Sequence, residues 1–244
     1  MDKKCTDDTK KCDALTIRPI GHIHTDFPEK FGIPRQSGLV PSLQAAITLE
    51  GECKNPDCIR NIEQFTHLWL IWGFSANQDK GWSPTVRPPR LGGNVHTGVF
   101  ASRAPFRPNP LGLSCVRLER VCLKGENGLE GPVLFVSGAD LMDGTPIYDI
   151  KPYAPLFDSH PEASGSFTHD TIRHRLTVHC EDILLDILPP EKRDVLLDIL
   201  SLDPRPGYHD DPERIYGLDF GKWSVRFRVD GNELYVEEIF QNKK

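Results

Sequence analysis

The stretch "GVFASRAPFRPNPLGLS", residues 98–114, combines arginines with prolines in a way that suits anion binding. Proline fixes the backbone and removes an amide donor, so the polar groups that remain in such a loop are held in place. Arg103 and Arg107 carry planar guanidinium groups that match a carboxylate or a phosphate, and Phe106 offers an aromatic face to a purine. The same residues also suit a stiff loop whose arginines are merely solvated, and residue types alone leave both interpretations open.

A second polar stretch, "DLMDGTPIYDIKPY" (140–153), is rich in hydrogen-bond acceptors. Ribose hydroxyls or an ammonium group could donate to its three aspartates, Asp140, Asp143 and Asp149. Lys151 and Tyr153 stand two residues apart, so a strand would place a cation and a phenol on one face. The pair Asp143-Gly144 is equally typical of an ordinary turn.

Two further loops carry forked cations between prolines and glycines. "IPRQSG" (33–38) holds Arg35 beside the amide of Gln36, and "DPRPGYHDDPERIYG" (203–217) holds Arg205 between two prolines. The second of these loops lies late in the chain, where it could reach a site built by the earlier ones.

The elements that must position these loops are short strands. The run "FTHLWLIWGF" is almost continuously apolar and predicts a strand buried on both faces, and His67 within it is most simply a hydrogen-bonded core histidine. Runs of strand length recur without helical crossovers between them, which predicts a closed or nearly closed β-barrel. These runs cover residues 15–25, 45–50, 65–74, 95–102, 113–126, 131–141 and 145–155.

Near residues 158–167 the composition shifts. Two apolar runs with helical periodicity follow, with Pro190 at a position that suits a helix start, and three strand-like runs end the chain. The pattern predicts a mainly β protein with a small α+β domain after the barrel. We therefore expect a disordered tail at residues 1–14, a barrel domain at 15–160 and a small α+β domain at 165–244.

Composition limits the function classes. The 244 residues are 38% hydrophobic and 26% charged, which is typical of a soluble globular protein. No apolar run is long enough for a membrane span and the first residues lack a signal-peptide core, so a cytoplasmic protein with no membrane partner is expected. The net charge of −6 argues against a general nucleic-acid binder, and no DNA partner is expected. Residues 87–120, however, hold six arginines and a single acid, Glu119.

The common signatures of nucleotide and hydrolase sites are absent. The sequence contains no G-x-S-x-G, no G-x-x-x-x-G-K-[ST] and no H-E-x-x-H. No G-x-G-x-x-G opens a βαβ unit, so barrel loops would have to hold any cofactor. Seven cysteines without a secretion signal favour free thiols. The spacings of Cys5 with Cys12 and of Cys53 with Cys58 differ from a zinc knuckle, and no metal is expected.

Taken together, these loops resemble the TrmO family, also called TsaA-like or YaeB-like proteins. The strings "IPRQSGL", "FTHLWLIWGF", "GVFASRAPFRPNPLGLS", "DLMDGTPIYDIKPY" and "DPRPGY…RIYG" occur in the family's order from about residue 15 onward. The stretch "EGECKNPDCIRNIEQ" departs from the usual family sequence and leaves the role of the cysteine loop open.

The resemblance implies both a fold and an activity. The family fold is a β-barrel rather than a Rossmann sheet, and it binds S-adenosyl-L-methionine (SAM). Members methylate the exocyclic N(6) nitrogen of threonylcarbamoyl-adenosine at position 37, next to the anticodon of certain tRNAs. They are homodimers with the cofactor near the subunit interface, and the second domain helps to hold the tRNA.

Carried over by motif, the resemblance also implies roles for single residues. Lys151, Arg205 and Tyr208 would act near the substrate base. We expect Lys151 or Arg205 to stabilise negative charge on the carbamoyl oxygen and Tyr208 to orient the substrate, whereas the sequence names no general base. The cofactor pocket would comprise Pro34, Arg35, Gln36, His67, Leu68, Arg103, Leu113, Asp143, Gly144, Thr145 and Pro146.

Binding of tRNA needs cations, and we expect part of them from Arg87, Arg90, Arg173 and Arg175. Three alternatives stay open at this point. The first is a SAM-dependent methyltransferase of another substrate, such as unmodified adenosine or a small metabolite. The second is a non-catalytic barrel that recognises RNA or an adenine nucleotide. The third is a metal-linked redox sensor built on Cys53 and Cys58.

Overall fold

The computed structural model describes residues 15–88, 95–165, 175–205 and 211–242; the predicted tail at 1–14 lies outside them. The strands in these ranges are β1 (Gly21–His24), β2 (Gln44–Leu49), β3 (His67–Gly73), β4 (Thr85–Val86), β5 (Thr97–Gly98), β6 (Leu111–Cys122), β7 (Gly125–Glu126), β8 (Leu129–Glu130), β9 (Val133–Ser137), β10 (Thr145–Pro152), β11 (Thr177–His179), β12 (Tyr216–Phe220), β13 (Trp223–Asp230) and β14 (Glu233–Gln241). The α-helices are α1 (Pro155–Asp158), α2 (Asp182–Leu185) and α3 (Pro190–Ser201). None of the helices in these ranges is long and apolar enough to cross a membrane.

Six strands close into an antiparallel barrel in the order β1-β10-β3-β6-β9-β2, with β2 pairing back onto β1. This closure confirms the predicted mainly β architecture. The strand β3 is not buried on both faces as the apolar run predicts. Leu68 and Leu70 are fully buried inside the barrel, whereas Trp69 and Ile71 on its outer side are partly exposed. The difference arises because a closed barrel buries only the side chains that point inward.

Two predicted strands are shorter in the structure, and the cysteine loop has regular structure. The run 15–25 forms a strand only at Gly21–His24. The run 95–102 pairs only at Thr97–Gly98 and then turns into a short 3-10 helix, because the Arg107 guanidinium binds carbonyls that a strand would offer to its neighbour. The cysteine region folds into consecutive 3-10 helices, Gly51–Lys54, Pro56–Ile59 and Ile62–Gln64.

The C-terminal part is a four-stranded sheet in the order β11-β14-β13-β12, packed on one face by α3. The helix begins at Pro190, as the sequence predicts, and buries Val195, Leu196, Ile199 and Leu200. The other predicted helix, from the apolar run before Pro190, is a single turn, α2. A two-residue connection after Asp230 joins β13 to β14 as an antiparallel hairpin.

Residues 25–43, between β1 and β2, leave the barrel and enter the hydrophobic core of the C-terminal sheet. The rings of Phe27 and Phe220 lie 5.9 Å apart, and Asp26 forms an ion pair with Lys192 of α3. The division of the chain at residues 160–165 therefore stays a prediction, because hydrophobic packing crosses it. The residues from the early segment that are buried in this second core are Phe27, Val40 and Leu43.

Candidate active site

Several of the motif loops meet at one end of the barrel, which we call the mouth. Register places the ends of three strands there, since Gly73 of β3 pairs with Leu111 of β6 and Trp72 pairs with Ile147 of β10. The mouth is thus formed by the loop 33–38, the loop 98–110 and the turn 140–146. Closing an antiparallel barrel brings these segments together although they lie far apart in the sequence.

The turn at Asp143 is fixed to the chain that leaves β1. The Asp143 carboxylate accepts a hydrogen bond from the Thr25 amide at 3.0 Å, and the Asp143 amide donates to the Phe27 carbonyl at 2.8 Å. Gly144 adopts a positive φ of 71°, which a residue without a side chain adopts without strain. Thr145 and Pro146 are buried, so Asp143 and Gly144 are the exposed members of the predicted cofactor string.

The two arginines of the loop 98–110 have different roles. The Arg107 guanidinium donates to the carbonyls of Ser102 at 2.7 Å and Val99 at 3.1 Å, and so braces its own loop. Arg103 reaches outward instead and donates to the Gln36 side-chain carbonyl of the neighbouring loop. Arg103 is exposed and available to an anion, whereas Arg107 is mainly structural.

Arg35 and Arg205 connect the mouth to the C-terminal part. The Arg35 guanidinium lies 3.2 Å from the Arg205 carbonyl and 3.5 Å from the Asp203 carbonyl. Arg205 forms a two-pronged ion pair with the Asp203 carboxylate, with both nitrogen–oxygen distances at 2.9 Å. The charge of the Arg205 side chain is therefore largely offset by its own loop, and Tyr208 lies outside the described residues.

Two cavities open at this junction. One, of about 340 Å³, lies between the loop 30–35 and residues 202–205. The other, of about 220 Å³, reaches into the mouth, and its lining includes Trp72, Phe74 and Pro105. The turn adds Asp140, Met142 and Thr145 to this lining. Aromatic and apolar walls with a few convergent polar groups are typical of a small-molecule site.

A chain of hydrogen bonds runs through the barrel wall to Asp140. The Trp72 indole donates to the Ser114 hydroxyl at 2.9 Å, and that hydroxyl donates to the Asp140 carboxylate at 2.6 Å. Burial raises the pKa of the Asp140 carboxyl. The Ser114 hydrogen bond, the charge of Arg103 and the Ser37 amide oppose this rise and favour the anion. The sequence gives no sign of Trp72 and Ser114, because each reads as one more member of an alternating strand.

The remaining predicted residues lie on β3, β6 and β10 and line neither of the two cavities. His67 begins β3 and is five residues from Trp72, about 17 Å along an extended strand. Leu113 points outward from β6 and is 52% exposed, while Leu68 is fully buried, so only its backbone could contact a ligand. Lys151 lies beside Trp69 on the same outer wall and pairs with Asp149 at 3.0 Å.

The structure thus brings the predicted cofactor residues into two groups. The mouth group is Pro34, Arg35, Gln36, Arg103, Asp143, Gly144, Thr145 and Pro146. The wall group is His67, Leu68 and Leu113, and none of its members lines either cavity described above. Within a single chain the two groups do not form one pocket.

The cysteines contribute no recognisable metal site to the part of the chain that is described. Cys53 and Cys58 are free thiols on the 3-10 helices. No cluster of three or more His, Cys, Asp or Glu side chains in the described ranges could hold a metal ion.

Comparison with known proteins assigns the chain to a family. The model of the tRNA-methyltransferase O N-terminal domain matches residues 22–159, and the model of the TrmO C-terminal domain matches residues 178–242. The chain belongs to the tRNA-methyltransferase O family. This result confirms the resemblance drawn from the motif loops.

Relatives of this TrmO family member are similar over most of its length. The tRNA (adenine(37)-N6)-methyltransferase of Escherichia coli (strain K12) is 41% identical over 236 residues, covering 92% of this chain and 98% of the relative. The protein of the same name from Eikenella corrodens is 42% identical over 175 residues, covering 72% of this chain and 97% of the relative. A crystal structure of TrmO from Pseudomonas aeruginosa superposes with a TM-score of 0.70 at 28% identity, covering 93% of this chain and 99% of that one.

The contrast between the two loop arginines predicts different effects on stability. Arg107→Ala should lower the free energy of unfolding by about 1.5–3 kcal/mol, because it removes charged hydrogen bonds to two carbonyls. Arg103→Ala removes one exposed contact and should change it by less than about 0.5 kcal/mol. Urea unfolding of both variants measures this difference, and equal losses would show that Arg107 is not a brace.

Proposed function

We propose that this protein is a SAM-dependent tRNA methyltransferase that methylates the N(6) nitrogen of threonylcarbamoyl-adenosine at position 37. The observation that carries the proposal is the meeting of the family's motif loops around the cavity of the mouth. The Escherichia coli relative, which the chain matches almost end to end, is named a tRNA (adenine(37)-N6)-methyltransferase. We place the protein in the cytoplasm, where tRNA is modified.

The residues of the mouth fit a SAM molecule. Trp72 and Phe74 give flat apolar surfaces for an adenine ring, and the exposed carboxylate of Asp143 suits an ammonium group or ribose hydroxyls. Arg103, exposed and held by Gln36, suits the carboxylate of the amino-acid portion. When bound, SAM supplies a methyl group already activated by its sulfonium, so the protein has mainly to align that methyl group with the acceptor nitrogen.

We further propose that two copies of the chain complete each cofactor site. The mouth group and the wall group are both assigned to the cofactor by the family motifs, yet within one chain His67 and Leu68 lie at the far end of β3 and Leu113 points outward from the barrel. The wall around Leu113 is also unusually apolar for an exposed surface, with Phe157 and Leu156 of α1 74% and 85% exposed. A twofold dimer would cover this wall and bring the wall group of one copy to the mouth of the other.

Mixed dimers test this arrangement. Arg103→Ala damages the mouth group and His67→Ala damages the wall group, so each homodimer should lose most of its SAM binding. When the two variants are co-expressed with different tags and the mixed dimer is purified, one of its two sites has both groups intact. The purified mixed dimer should therefore bind SAM at one of its two sites. In an unpurified random mixture, where half of the dimers are mixed, about a quarter of all sites should bind SAM. Matched dimers of each variant are the control, and no recovery in the mixed dimer would mean that one chain builds the whole site.

The substrate side of the proposed site involves Lys151, Arg205 and Tyr208. The acceptor nitrogen is conjugated to a carbamoyl group, so removal of its proton during methyl transfer would place negative charge partly on the carbamoyl oxygen, where a cation would stabilise it. Lys151 is 63% exposed on the wall and could turn from Asp149 toward a bound base. Arg205 is held by Asp203 and would act in the orientation that this pair fixes. These roles are part of our proposal.

Nucleoside mass spectrometry tests the reaction. The purified protein, SAM and tRNA carrying threonylcarbamoyl-adenosine should yield that nucleoside with one added methyl group, and tRNA without the threonylcarbamoyl group should yield none. Methylation of the unmodified tRNA would point to a different substrate. SAM binding without any transfer would point to a non-catalytic barrel. In the same assay Lys151→Ala should lower turnover at saturating SAM by about 10²-fold, and full turnover would remove Lys151 from the mechanism.

A basic surface next to the mouth is suited to the tRNA. Residues 81–88 and 95–110, which we call the arginine lobe, are joined by the ribbon β4–β5 and by hydrogen bonds such as Ser83 N to Phe106 O at 3.2 Å. The sequence from 81 to 118 contains no Asp or Glu. Arg87 donates to the His96 ring at 3.0 Å, and no arginine of the lobe forms an ion pair within the described ranges.

The arginine lobe also exposes aromatic rings. Trp82 is 58% exposed and Phe100 is 77% exposed, whereas Phe106, which the sequence suggested for stacking, is half-buried. Aromatic rings beside unpaired cations bind single-stranded nucleotides by stacking and by contact with phosphates. We propose that this lobe holds nucleotides of the anticodon loop. Arg175, predicted for the same purpose, is partly engaged by Asp198 and Ser201, and Arg90 and Arg173 lie outside the described residues.

Salt titrations separate these contributions. The affinity for tRNA should fall as salt rises, and Arg87→Gln should reduce the slope of log affinity against log salt by about one. Phe100→Ala should weaken binding by about 1–3 kcal/mol without changing that slope, because stacking releases no counterions. Arg175→Gln serves as the comparison and should change the slope less than Arg87→Gln. An affinity that does not respond to salt would contradict the proposed surface.

A further inference from the structure

We propose that Asp140 is the general base of the reaction, the group that accepts the proton leaving the N(6) nitrogen as the methyl group arrives. The inference rests on the proposed function and extends it, because the family motifs supply binding and charge-stabilising residues but no proton acceptor. It is carried by the position of Asp140 in the mouth and by the groups that face its carboxylate.

Asp140 is a largely buried carboxylate that lines a cavity. It follows β9, where Gly138 has a φ of 77° and turns the chain inward to the mouth. From there Asp140 lines the cavity of about 220 Å³ together with Trp72 and Thr145. A buried carboxylate that only stabilised the fold would be expected to pair with a cation inside the protein. Asp140 forms no ion pair in the part of the chain that the structure describes.

The groups that contact this carboxylate are all donors. An indole nitrogen can only donate, so the Trp72 indole makes the Ser114 oxygen an acceptor and turns the single hydroxyl proton of Ser114 toward Asp140. The Ser37 amide and the Arg103 charge also act on Asp140 in favour of its anion. None of the described residues that contact this carboxylate is an acceptor that would compete for its proton, so the carboxylate can receive a proton from a substrate bound at the cavity.

The charged surroundings on every side are compatible with this role. Lys30, from the segment between β1 and β2, lines the same cavity, and Arg103 approaches from the loop 98–110. The strands β3 and β6 contribute the uncharged Trp72 and Ser114. The neighbouring carboxylate, Asp143, is occupied by the Thr25 amide and lies 3.8 Å from His24. Asp140 is thus the carboxylate of the turn that faces the cavity.

The proton transfer balances as a simple substitution. The bond between the N(6) nitrogen and the methyl carbon forms while the carbon–sulfur bond of the donor breaks, and the sulfur leaves as a neutral thioether. The nitrogen becomes positive as the new bond forms, which makes its N–H strongly acidic. That proton passes to the Asp140 carboxylate, leaving a neutral methylated nitrogen and a carboxylic acid. The acid then returns its proton to water, and no further reactant is needed.

Asp140→Asn tests the proposal, because the amide keeps the size and the Ser114 hydrogen bond but cannot take up the proton. Turnover at saturating SAM and tRNA should fall by about 10²-fold or more, while the SAM affinity measured by calorimetry stays at the wild-type level. Thermal unfolding of the variant checks that it is folded under the assay conditions. The matched control is Asp230→Asn, an exposed aspartate at the hairpin of the C-terminal sheet, which should leave turnover unchanged.

The pH dependence of turnover gives a readout that a structural role would not move. The reactive anion is lost as pH falls through the pKa of Asp140, and burial raises this pKa above 3.8. The acid limb should therefore lie at higher pH than an exposed aspartate would give, and it should vanish in Asp140→Asn. Ser114→Ala removes a hydrogen bond that favours the anion, so it should move the acid limb to still higher pH.

Failure of this inference is distinguishable from failure of the proposed function. If the wild type methylates the nucleoside but Asp140→Asn turns over equally fast, Asp140 is not the base. If the variant loses SAM affinity and turns over normally once SAM is saturating, Asp140 is a cofactor ligand and the proposal is overturned. If the wild type itself transfers no methyl group, the proposed function fails first.

Discussion

The hydrogen bond from the Thr25 amide to the Asp143 carboxylate is the contact on which the geometry of the mouth depends. It joins the turn before β10 to the point where the chain leaves β1. From there the chain enters the second core and returns to the mouth as the loop 33–38. The loop carrying Arg35 and Gln36 is thus positioned from both sides: by the barrel through Asp143 and by the C-terminal part through Asp203 and Arg205.

The barrel could be predicted from the sequence because the hydrophobic pattern of a strand depends only on neighbouring residues. The predicted ends of strands were wrong where a single side-chain contact determines the backbone conformation. After Gly98, for example, the Arg107 guanidinium binds the carbonyls that a longer strand would have used for pairing. For the same reason the sequence could not separate Arg103 from Arg107. Both are arginines next to prolines, and only the folded loop shows that one points to its own backbone and the other to Gln36.

The candidate site shows the same division between local and long-range information. The strings that line the mouth are visible in the sequence. The hydrogen bonds from Trp72 to Ser114 and from Ser114 to Asp140, however, join β3, β6 and the segment after β9, and they form only when the barrel closes. Conversely, motifs list His67 beside the mouth residues, although β3 separates them in the folded chain. The net charge of −6 likewise gives no indication of the arginine lobe, which contains no Asp or Glu. A charged ligand responds to the charges within roughly a Debye length of 10 Å and not to the net charge of the whole molecule.

The passage of residues 25–43 through the second core has a consequence for how the chain folds. The pairing of β1 with β2 cannot be completed as a local hairpin, because the residues between them find their partners only among the last strands, as in the contact of Phe27 with Phe220. Contacts between opposite ends of a chain slow folding, since loop closure must come before they can form. The barrel and the C-terminal sheet should therefore reach their native packing together, and a polypeptide still lacking its last strands would expose the apolar side chains of this early segment.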